Sequence, residues 1–72
     1  MKPPKDGTVF IAQFRNYPIS LATMWNGASE EWITATPHVE PYKGIWNDWY
    51  FENEFFSEEE LESWMPMQMI IN

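Results

Sequence analysis

At 72 residues, 44% hydrophobic and 18% aromatic with a formal net charge of −7, the chain fits one small domain. It has no cysteine, which excludes disulfides, thiolate zinc sites and cysteine nucleophiles together. Its acidity argues against direct binding of nucleic acid or of an anionic membrane, because phosphate repels such a surface.

Residues 1–7 read as an N-terminal arm ending in a turn, since Pro3-Pro4 stiffens the chain and Asp6-Gly7 is a turn dipeptide. From Thr8 to Arg15 the residues alternate. Phe10, Ala12 and Phe14 fall on one side, with Val9, Ile11, Gln13 and Arg15 on the other, the period of a strand. Asn16-Tyr17-Pro18 interrupts the pattern, and Ile19 to Trp25 resumes it as a second strand. Asn26-Gly27 then suits a tight turn that needs positive φ. Glu31 to Thr36, rich in Trp, Ile and Thr, makes a third strand and completes a meander. Pro37 and Pro41 predict a loop from Pro37 to Gly44. Ile45 to Phe51 is an aromatic strand with apolar residues on both faces.

Ser57-Glu58-Glu59-Glu60 has the form of a capping box, and Phe56 and Leu61 stand where a hydrophobic staple would place them. Leu61, Trp64 and Met65 share one helical face before Pro66, so the spacing predicts a helix over 58–65. Met67, Met69 and Ile71 alternate as a last short strand. The expected fold class is therefore α+β: a single domain over 1–72 with a small antiparallel meander of three to five strands and one short C-terminal α-helix.

Few residues invite chemistry. His38 is the only histidine, and with Glu40 two residues away it supplies too few ligands for a metal. Ser20, His38 and Asp48 lack a strained nucleophile turn, and the chain has no Gly-rich phosphate loop. Paired carboxylates need a cleft to raise one pKa, for which so short a chain has little volume. The reading is a non-enzymatic protein without cofactor or metal. No apolar run reaches the ~20 residues of a spanning helix, and no signal peptide is visible, so a cytoplasmic protein is expected.

The charge is lopsided. Lys2, Lys5, Arg15 and Lys43 balance Asp6, Glu30, Glu31 and Glu40, so residues 1–44 are neutral. Asp48, Glu52, Glu54, Glu58, Glu59, Glu60 and Glu62 face no base in residues 45–72, which carry the whole −7. Helix capping accounts for Glu58, Glu59 and Glu60, since negative charge stabilises a first turn by about 0.3–1 kcal/mol each. It does not account for the missing lysine and arginine, because an ordinary surface mixes both signs. Aromatics crowd the same stretch. The candidate partner-binding residues are Trp46, Asp48, Trp49, Tyr50, Glu52, Glu54, Phe55, Glu58, Glu59, Glu60 and Glu62, with Trp46, Trp49, Tyr50 and Phe55 as anchors. A basic protein surface is the natural complement.

Three motifs carry a resemblance. Pro4-Lys5-Asp6-Gly7-Thr8, Trp25-Asn26-Gly27 before Trp32, and Trp64-Met65-Pro66 occur in that order. The layout resembles a group of short phage and prophage proteins. Ser63 stands where that group has His, Met67-Gln68 replaces its Leu-Pro, and the acidic stretch 46–62 lies outside the shared pattern. The resemblance implies viral origin and a small β-sheet domain, and it brings no assigned activity. Small acidic phage proteins are often inhibitors of nucleases, restriction systems or CRISPR effectors. The expected function is thus an inhibitor that binds the basic surface of a host protein or ribonucleoprotein in the bacterial cytoplasm, in the manner of a nucleic-acid mimic. The alternative is a structural module that self-associates, as a homodimer, through exposed aromatics and the strand from Met67 to Ile71.

Overall fold

The computed structural model describes residues 2–42 and 45–67, with backbone alone for 38–42 and 45–49. Five strands form one antiparallel sheet: β1 (Phe10–Phe14), β2 (Leu21–Asn26), β3 (Glu31–Tyr42), β4 (Ile45–Phe56) and β5 (Leu61–Pro66). Their order is β4-β3-β2-β1-β5. The first four make the expected meander, and β5 returns to pair with β1 on its far side.

The predicted α+β class and the helix over 58–65 are overturned. Among the described residues the structure is β throughout, apart from a single 3₁₀ turn at Glu58–Glu60. The capping contact does form: the Glu60 carboxylate accepts from the Ser57 amide at 2.9 Å and from its hydroxyl at 3.0 Å, while the Glu60 amide donates to the Ser57 carbonyl at 3.1 Å. The chain then turns extended at Leu61 (φ −74°, ψ 120°). β1 supplies the competing partner. The Arg15 amide donates to the carbonyl of Glu60 at 2.8 Å, and its guanidinium donates to that of Glu59 at 3.2 Å. A helix of eight residues is marginal in water, and the ladder to β1 outweighs it.

A bulge explains the misleading spacing. Phe14 pairs with Leu61 but Gln13 pairs with Ser63, so the register slips across Glu62. Leu61 and Trp64, three residues apart, therefore reach the same side of the sheet and pack against the core. That spacing also marks a helix face.

Two turns also differ from expectation. The β2–β3 connection is a four-residue turn in which the Asn26 side chain accepts from the Ala28 amide at 3.0 Å. Its left-handed residue is Glu30 (φ 55°), not Gly27. The predicted loop from Pro37 to Gly44 is strand as far as Tyr42, and the strand read over Ile45 to Phe51 runs on to Phe56. Proline is tolerated there because β2 stops pairing with β3 at Ala35, which leaves that side of β3 an edge. The register also shifts between Glu40 and Pro41. Met67 lies beyond β5, and the rest of the strand predicted to Ile71 lies outside the described residues.

The core sits on one side of the sheet. Phe10, Ala12, Phe14, Leu21, Trp32 and Phe56 are buried, with Tyr17, Trp25, Leu61 and Trp64 packed around them. Rings do most of the filling. Phe14 stacks on Phe56 at 4.2 Å between centroids, while Trp32 meets Phe10 and Trp25 edge-on at 5.4 and 4.7 Å. Such pairs add about 0.5–1.5 kcal/mol beyond their burial. Thr23, Thr34 and Thr36 are buried on the same side, and their hydroxyls are satisfied locally. Thr34 and Thr36 bond each other at 3.0 Å, and Thr23 donates to the carbonyl of Leu21.

Candidate functional site

Beyond Ala35, β3 pairs with β4 alone. The two strands continue as a ribbon in which Pro37 pairs with Phe51, His38 with Tyr50, and Tyr42 with Ile45. The candidate residues Trp46, Asp48, Trp49 and Tyr50 lie on this ribbon, where their strand pairs with β3. The side chains of Trp46, Asp48 and Trp49 lie outside the described residues, whereas Tyr50 is exposed.

The other candidates separate onto opposite sides. Thr34 pairs with Glu54 and Thr36 with Glu52, so both glutamates stand on the core side of β4, with Glu52 exposed and Glu54 half-buried. Phe55 pairs with Ile33 and projects from the other side, as does Phe51. Phe51 and Phe55 thus stand on the side of β4 opposite Glu52 and Glu54, whereas Tyr50 shares the side of the glutamates. Glu58, Glu59 and Glu60 follow in the 3₁₀ turn. Glu60 is the cap, Glu59 is exposed, and Glu58 forms an ion pair with Lys5. Glu62 is exposed at the bulge.

Lys5 ties the N-terminal arm to this edge. Its ammonium lies 4.4 Å from the centre of the Trp25 ring while it pairs with Glu58. A cavity of about 580 Å³ opens between the arm and the core, lined by Lys2, Pro3, Lys5, Trp32, Glu58 and Leu61. The arm's own turn is set by Asp6, whose carboxylate accepts from the Thr8 amide at 3.0 Å, and by Gly7 at φ 90°. The hydrogen bonds from Thr8, its side chain first and then its amide, hold the Asp6 carboxyl below the ordinary carboxylate range. Among the described residues no three His, Asp or Glu side chains come together as a metal site, and no helix is long and apolar enough to cross a membrane.

The sequence reading missed the far side of the sheet. Met65 pairs with Ile11, Ile11 with Ala22, and Ala22 with Ala35. In the next row Met24 pairs with Ile33, and Ile33 with Phe55. Val9, Met24, Phe51, Phe55 and Met65 are exposed by 43, 39, 60, 49 and 55%. No charged side chain stands within these rows, and Glu31 borders them at the turn end of β3. The signal was present in Val9, Ile11, Ala22 and Met24, the second apolar set of the first two strands. No family model, curated protein or solved structure matches the chain.

Proposed function

We propose that the protein is a non-catalytic inhibitor of viral origin that acts in the bacterial cytoplasm. It docks the acidic, aromatic segment 46–62 on the basic, nucleic-acid-binding surface of a host defence or nucleic-acid-processing protein, such as a CRISPR effector or nuclease. The observation that carries this reading is the β3–β4 ribbon. It holds the stretch with Trp46, Asp48, Trp49 and Tyr50 away from the packed strands, where a groove on a larger protein has access to it. Glu52 and Glu54 continue from the ribbon along the core side of β4, and Glu59 and Glu62 add exposed carboxylates beyond it. Opposite charge would speed encounter and fix orientation, while the aromatics would supply buried anchors.

The test begins with affinity capture from a bacterial lysate at low salt. The captured protein is expected to bind nucleic acid, and duplex DNA is expected to compete with the inhibitor for it. Glu59→Lys combined with Glu62→Lys should weaken binding by roughly tenfold and flatten its salt dependence. These two are suitable probes because Glu60 is occupied as a cap and Glu58 by Lys5. An affinity unmoved by both charge reversals, with no competition from DNA, overturns the reading.

A further inference from the structure

The uncharged rows on the far side of the sheet have no place in the inhibitor reading, and their size calls for an occupant. The exposed fractions of Val9, Met24, Phe51, Phe55 and Met65 amount to roughly 500 Å² on side chains of about 150–250 Å² each. That lies at the upper end of the largest apolar patch on an ordinary monomer, about 300–600 Å². Ile11, Ala22, Ile33 and Ala35, half-buried, and the uncharged Asn53 fill the space between them, over a depression of about 220 Å³. With these included, each molecule offers something over ~600 Å², the lower bound of what one partner buries in a stable interface.

We propose that this side is a homodimer interface, in which two copies pack sheet against sheet at about 10 Å through Val9, Met24, Ile33, Phe51, Phe55 and Met65. Three observations favour a second copy over a foreign partner. A molecule of net charge −7 is repelled by its own kind everywhere except across a surface without charge, and these rows supply one. A basic partner gains nothing electrostatically from the same rows, because Glu52 and Glu54 project from the opposite side. Among the described residues six buried hydrophobic side chains form the core, in a chain without cysteine, and oligomerisation is one of the few remaining ways for so small a domain to add buried area. Face-to-face packing also leaves Glu52 and Glu54, on the core side of β4, outside the contact in both copies. The dimer does not depend on the inhibitor reading and would present two docking segments if that reading holds.

Sedimentation velocity on the wild-type chain from about 1 to about 500 µM is expected to show a shift from one-chain to two-chain mass, with Kd in the micromolar range. Met24→Lys and Phe55→Lys should each raise that Kd at least tenfold by setting like charges against each other across the two-fold axis. Glu59→Ala, in the 3₁₀ turn between β4 and β5, should leave it unchanged. The near-ultraviolet dichroism of the buried Trp32 reports whether each variant is folded. If a lysine variant fails to fold, the methyl resonances of Met24 and Met65 in the wild type serve instead, and they should shift with concentration. A one-chain mass at the highest concentration overturns the proposal. So does a dimer whose affinity ignores both lysine variants, or whose methionine resonances do not move.

Discussion

Trp32 is buried between Phe10 and Trp25, edge-on to both, and its indole Nε1–H has no hydrogen-bond partner. Trp32→Ala should lower stability by about 3–5 kcal/mol, a large part of the ~5–15 kcal/mol that holds a typical domain together. Trp32→Phe keeps a ring in place and removes the orphaned donor, so it should cost markedly less. Urea denaturation of the pair gives the comparison. Gly7 is constrained by backbone alone, since a Cβ there would meet nothing within 4 Å. At φ 90°, Gly7→Ala should still cost about 1–2 kcal/mol. Asp6 adds a pH effect whose sign is set by its lowered pKa. The stability it contributes is fully present above its ordinary value near 3.8 and is lost as pH falls below that into its folded range. Thermal denaturation of Asp6→Asn should accordingly lose the low-pH part of the wild-type profile.

At the scale of elements, the meander was legible because strand and sequence share a period of two. Phe10, Ala12 and Phe14 are buried as their alternation predicted. The C-terminal element was not, and the reason lies in Glu62. A bulge places Leu61 and Trp64 on one side at a spacing that also marks a helix, and the capping pair of Ser57 and Glu60 is common to an α-helix and a 3₁₀ turn. Far-ultraviolet dichroism should therefore lack the double minimum of even a two-turn helix. Glu60→Ala should cost about 1 kcal/mol through loss of the cap, read from the shift in urea midpoint. The β3 half of the ribbon, from Pro37 to Tyr42, was likewise read as a loop, because prolines are breakers only where their missing amide is needed. Pro37 lies where β3 has already lost one neighbour.

For the whole molecule, the net charge sets the response to salt. Self-repulsion from a net −7 is screened by salt over about 10 Å at 0.1 M. Melting temperature should therefore rise as sodium chloride is added, although the Lys5–Glu58 pair weakens under the same conditions. Calorimetry at fixed protein concentration checks this, and a falling melting temperature would mean that specific ion pairs outweigh the general repulsion.

The placement of acidity in residues 45–72, the lack of thiol chemistry and the inner faces of the first strands follow from composition and local alternation. Neither depends on distant partners, so a linear reading reaches them. Which side of β4 each glutamate and each ring would occupy depended on its pairing with β3. Whether residues 61–66 would coil or extend depended on Arg15 and the free edge of β1, some 50 residues away in the chain. The acidic, aromatic segment that composition marked as one surface is divided by the pleat. Its carboxylates at Glu52 and Glu54 go to one side and its rings at Phe51 and Phe55 to the other, because neighbouring residues of a strand point in opposite directions.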